Sequence, residues 1–147
     1  MNRYALIDNE GNITAFTTNS KLGGVNTQGV NIAGITTELA LLKAIKMQEV
    51  RSHYQNIVNE LSNNYSSYEL ETFATQQAEW KLWSADSNAS TPFIDALSAA
   101  RGIDREVLLN KIGANALNIA SILGLQQAKE DAIKACTAVA EVEAIIL

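Results

Sequence analysis

Two short runs of strand-forming residues open the chain, Tyr4-Ala-Leu-Ile-Asp8 and Ile13-Thr-Ala-Phe-Thr17, with Asn9-Glu-Gly-Asn12 between them. Asn and Gly tolerate the positive φ of tight turns, so the pattern predicts a β-hairpin. A two-stranded hairpin is marginal in water. It must gain a third strand, dock on helices or pair with another chain. Lys21 to Thr36 then alternates Gly23, Gly24, Gly29 and Gly34 with Val25, Val30, Ile32 and Ile35, and Gly24-Val-Asn26 recurs as Gly29-Val-Asn31. This reads as an extended, turn-rich arm with room for one more short strand, its apolar residues spaced for contact.

From residue 37 the period changes to that of a helix. Thr36 or Thr37 caps the start, and Glu38 suits the positive end of the helix dipole. Met47, Val50, Tyr54, Ile57 and Leu61 follow 3, 4, 3, 4 spacing, the stripe of a core face or a coiled-coil seam. Asn63-Asn64 ends this helix. Ser66 and Glu69 have capping-box spacing and begin a second one, with Leu70, Phe73, Gln77 and Trp80 on one face and Trp83 on an adjoining edge. Thr91-Pro92 opens a short third helix that Gly102 closes. Asp104 caps a fourth, whose apolar side is Val107, Leu108, Ile112, Ala116, Ile119 and Leu123, with Gly124 as the expected stop. Gln126 to Cys136 is a fifth helix. Thr137 is expected to cap a last one ending in the apolar Ile145-Ile146-Leu147. The predicted fold is mainly α with a small N-terminal β-hairpin: a hairpin and Gly/Asn-rich arm over 1–36, a long helix over 37–64, and a helical module of short helices over 65–147.

Composition narrows what such a chain does. Its 147 residues suffice for one compact core without disulfide or metal. The charged fraction of 18% is low against a typical ~25%, a hint that part of the surface meets a partner. The formal charge is −5. Residues 1–64 balance their charges, so all of it falls in 65–147. That half should repel phosphate and anionic lipid, which argues against nucleic-acid binding and against DNA recognition by the fourth and fifth helices. Cys136 is the only cysteine, which fits a reducing compartment. The opening apolar run is too short for a signal peptide. Asn115, Asn118, Ser121 and Gly124 interrupt the longest apolar stretch, so no membrane span is expected. The three Asn-x-Ser/Thr triplets are read as chance.

Catalytic chemistry has little to build on. His53 is the only histidine, so sites needing two His ligands are excluded, and a hydrolase would have to bring Ser or Asp to it by folding. It is read as an ordinary helix histidine, and Cys136 as a packed small hydrophobe. Glu69 with Glu71, and Glu141 with Glu143, are two apart and do not share a helix face. Gly23-Gly24 lacks the downstream Lys-Ser/Thr of a phosphate loop. Trp80 and Trp83 divide between core and interface roles. No cofactor and no metal are expected.

The order of motifs resembles small proteins of tailed-bacteriophage tails. Tyr4-Ala-Leu-Ile-Asp-x-x-Gly-x-Ile13 looks like the first hairpin of such proteins, including tail-fibre assembly proteins. Phe73-x-x-Gln-Gln-x-Glu-Trp80, Ala89-x-Thr-Pro92, Ala100-Arg-Gly102, Lys111-Ile112, Asn115-Ala116 and Gly124-x-x-Gln127 look like a helical module of tail-fibre, tail-tip and assembly proteins. The resemblance spans roughly residues 1–16 and 66–145. It implies no enzymatic activity and no cofactor. It implies contacts with other tail proteins, among them fibre, within an oligomer or larger assembly, in the virion tail and in the host cytoplasm during assembly. A structural subunit near the fibre, tail tip or baseplate is the first reading; a chaperone binding a fibre protein is the alternative. The expected contact residues are Tyr4, Leu6 and Phe16 of the hairpin, Val25 and Val30 of the arm, Met47, Val50, Tyr54, Ile57 and Leu61 of the stripe, Trp80 and Trp83, and Ile145, Ile146 and Leu147.

Overall fold

A computed structural model describes residues 2–147. The chain is mainly helical, with a small three-stranded antiparallel sheet at the N-terminus, then a long helix and further helices, as the sequence predicts. The strands are β1 (Tyr4–Ile7), β2 (Ile13–Thr17) and β3 (Val25–Asn26), in the order β2-β1-β3. The helices are α1 (Glu38–Ser62), α2 (Ser67–Ala85), α3 (Pro92–Arg101), α4 (Arg105–Ala135) and α5 (Val139–Glu143). Two compact units divide the chain: Met1–Gln55 with Leu125–Leu147, and Asn56–Gly124.

In the first unit the hairpin gains its third strand from the Gly/Asn arm. Ala5 lies opposite Phe16 on one side and Val25 on the other. The turn forms because the Asp8 carboxylate accepts the backbone N–H groups of Glu10 and Asn12, both at 2.9 Å, and Gly11 adopts φ 81°. β3 approaches β1 so closely at Gly24 that a Cβ there would stand 2.6 Å from the Ala5 carbonyl oxygen. Ile13 N–H donates to the Thr36 carbonyl and Glu38 N–H to Gly11, tying the hairpin to the start of α1. Thr37 caps α1, its Oγ1 accepting from Ala40 N–H. Ala5, Leu41 and Ile45 form the core, with Ile13, Val25, Val30, Ile32, Ile35 and Leu42 packed on it. The arm is thus a coat over sheet and helix.

The residues after Gly124 complete this unit. Arg51 of α1 makes a bidentate pair with Glu130 of α4, at 2.9 and 3.1 Å, and Lys43 Nζ donates to the Lys134 carbonyl at 2.9 Å. Ile133 and Val142 are buried. At the start of α5 the Glu141 carboxylate accepts the N–H groups of Thr137 and Ala138. The Thr137 hydroxyl donates to the same carboxylate, so it is not the expected cap. The helix also ends at Glu143, short of the apolar tail.

The second unit packs α2, α3 and the first part of α4 around Ile94, Leu108, Leu109 and Ile112, with Trp80, Trp83, Leu97 and Ile103 against them. The Ser66–Glu69 capping box forms. Gly102 closes α3 at φ 63°, and Asp104 Oδ1 caps α4 by accepting from Glu106 and Val107 N–H. Thr91 precedes α3 as expected, but its hydroxyl donates to Asp95 and accepts from Arg105. The first free N–H groups of α3 go instead to Glu79 of α2, whose carboxylate accepts from Phe93 at 3.0 Å and Ile94 at 2.9 Å.

One predicted boundary is corrected. Gly124 does not stop a helix: α4 runs unbroken through it for 31 residues. A glycine inside a helix costs about 1 kcal/mol against alanine, too little to end one without a proline or a cap. Gly124 also lacks the left-handed conformation that Gly102 uses as a stop.

Candidate functional site

The expected contact residues fall into three groups. Val50 and Tyr54 are buried, at 0% and 6% exposure, and are corrected here. The middle of the α1 stripe is consumed within the chain and is not a free surface. A second group is half-buried: Tyr4 and Leu6 on β1, Val25 and Val30 against the sheet core, Met47, Ile57 and Leu61 on α1, Trp80 and Trp83 against the second core, and Ile145. The third group is exposed: Phe16 on β2, Ile146 and Leu147. Lys129 Nζ donates to the Ile146 carbonyl and holds the tail backbone, while the Ile146 side chain stays 78% exposed.

The second unit contains a groove of about 210 Å³. Leu61, Leu70, Phe73, Ile112 and Ile119 give it apolar walls, and its polar lining is carboxamide and hydroxyl, from Gln77, Asn115 and Asn118 among others. Among the described residues no charged side chain lines it. Tyr65 and Phe73 pack edge to face beside it, ring centres 5.0 Å apart. Of these walls, only Leu61 was among the expected contacts. On α4, Leu109, Ile112, Ala116, Ile119 and Leu123 repeat the 3, 4, 3, 4 spacing of the α1 stripe, a side that the sequence shows as an apolar helix face without marking it as a contact surface. Leu109 and Ile112 are buried, but Ile119 and Leu123 are 40% and 50% exposed. Leu117 beside them is exposed too.

The titratable groups that depart from ordinary values are held by the fold's own donors. Backbone N–H groups lower Asp8 in the hairpin turn and Glu141 at the start of α5, and Ser66 lowers Glu69. Glu130 is lowered to about 2, first by the hydrogen bonds from Arg51 and then by Gln126. His53 packs edge to face on Tyr54, with ring centres 5.1 Å apart. Cys136 is half-buried, its Sγ 3.2 Å from the Ala132 carbonyl. Among the described residues no group of three His, Cys, Asp or Glu is placed to hold a metal ion. By length and composition alone α4 is apolar enough to cross a membrane, although its first turns belong to the core of the second unit. No protein-family model, curated protein or solved structure matches the chain.

Proposed function

We propose that this chain is a non-enzymatic structural protein of a bacteriophage tail, acting through contacts with other tail proteins near the fibre, tail tip or baseplate. The observation that carries the reading is the ordered set of motifs, from the Tyr4–Ile13 hairpin to Gly124-x-x-Gln127, that resembles those of small tail proteins. Apolar surface left open on the folded chain supports it: the uncharged groove of the second unit, Phe16 on the sheet, and the Ile146–Leu147 tail. Apolar side chains left open on a folded domain are candidates for contact with other proteins. Mass spectrometry of purified virions of the encoding phage tests the proposal. The protein should be found at a fixed ratio to other tail proteins; its absence would sink the idea.

A further inference from the structure

We propose that the groove of the second unit is a self-association site, and that its occupant is α4 of a second copy of this chain. The α4 stripe starts as core and continues past its cover. Leu109 and Ile112 are buried by their own unit, whereas Ile119 and Leu123, on the same stripe, face water. A 3, 4, 3, 4 repeat of this kind is the seam along which two helices pack. Ala116 and Ala120, small residues beside Ile119 and Leu123, leave room for a second backbone to come close. Ile119, in the open part of the seam, also lines the groove together with Leu70 and Phe73 of α2, so a helix laid on it would meet those side chains as well.

Charge selects the occupant. The chain carries −5, all of it in the half that holds the groove, so two copies repel over most of that surface. They do not repel here. No charged residue lies between Lys111 and Lys129, and none lines the groove. A two-fold contact sets the same patch against itself. A carboxylate or ammonium would then meet its own sign. A carboxamide, donor and acceptor at once, can bond to its own copy, and Gln77, Asn115 and Asn118 supply that chemistry. An acidic or basic partner would find no complement in such a patch. A second α4, apolar and carboxamide-bearing along its open length, matches it in both respects. The pairing is independent of the tail reading, since a dimer can form whether or not the protein enters virions.

Light scattering coupled to size-exclusion chromatography of the full chain, over a range of concentrations, tests this. Wild type should give twice the chain mass. Ile119→Glu should halve it to that of a single chain, with far-UV circular dichroism unchanged. Leu123→Glu, at a side chain already half in water, should do the same without altering a groove wall. Val107→Glu adds the same charge at an exposed α4 position outside the stripe and should remain dimeric. A wild-type chain that stays monomeric at every concentration overturns the proposal. So does a dimer that survives both stripe variants, or one that Val107→Glu dissociates equally.

Discussion

The Trp80 indole lies directly on Gly113 of α4, where a Cβ would stand inside the ring. Two effects of opposite sign therefore meet at this position. Glycine to alanine in a helix ordinarily gains about 1 kcal/mol. Forcing an extra carbon into a packed core costs about 1–3 kcal/mol. The clash is with rigid ring atoms, so it should win. Gly113→Ala is expected to lose up to about 2 kcal/mol in urea unfolding, with a shift in tryptophan emission. A variant as stable as wild type would show that the indole moves aside freely.

Glu79 is the cap of α3, supplied from another helix. Its carboxylate accepts two backbone N–H groups, and a charge-assisted interaction of this class is worth about 1.5–3 kcal/mol. Glu79→Ala should destabilise the protein by about 2–3 kcal/mol. Glu79→Gln, which keeps one acceptor, should lose about half as much. Equal losses for Gln and Ala, measured by chemical denaturation, would mean that the carboxylate is not acting as a cap.

Arg51 and Glu130 predict a pH dependence. The Glu130 carboxyl is held at about 2, below its ordinary 4.5. A depressed folded value means that the folded state binds fewer protons. The pair's stabilisation is thus fully present above about pH 4.5 and disappears as pH falls through about 2. The Arg51 side chain is 60% exposed, so solvent screening limits the effect to below about 1 kcal/mol. The stability gap between wild type and Glu130→Gln should close over that acid range and narrow with added salt. A gap constant from pH 6 down to about 2 would contradict the assignment.

Gly24 predicts a larger local effect than its exposed neighbours. A Cβ there meets the Ala5 carbonyl, which is backbone and cannot rotate away. Gly24→Ala should cost about 2 kcal/mol or more and weaken β3 pairing, seen as faster hydrogen exchange at Thr27 N–H, which bonds to the Arg3 carbonyl. Gly29→Ala, where a Cβ meets nothing within 4 Å but φ is +78°, is the comparison: it should lose only the strain of a left-handed alanine, about 1 kcal/mol. Equal losses at the two sites would remove the close approach as the cause.

Features whose partners lie within a few residues were legible in the sequence. The Ser66–Glu69 box, the Gly102 stop and the hairpin turn all bond inside a window of four or five residues. What failed depends on distance. Gly124 has the same local signature as a helix stop, but no capping contact gathers around it. The Glu79 cap joins residues fourteen and fifteen apart in sequence, so no spacing rule reveals it. Periodicity identified the α1 stripe yet could not say what faces it, and Val50 and Tyr54 proved to be interior. The groove needs walls from the end of α1, from α2 and from α4; the sequence shows each as an apolar face, but only Leu61 among them was an expected contact.

The first unit is built from two stretches of chain, residues up to Gln55 and residues from Leu125 onward, while the second is one continuous segment between them. During synthesis the order of completion therefore reverses the order of the sequence. The sheet and the start of α1 emerge first, yet their unit cannot close until Glu130, Ile133 and Val142 have been made. The second unit has all its residues by Gly124. It is the part able to reach its native packing early, with the older N-terminal segment waiting beside it for its remaining piece.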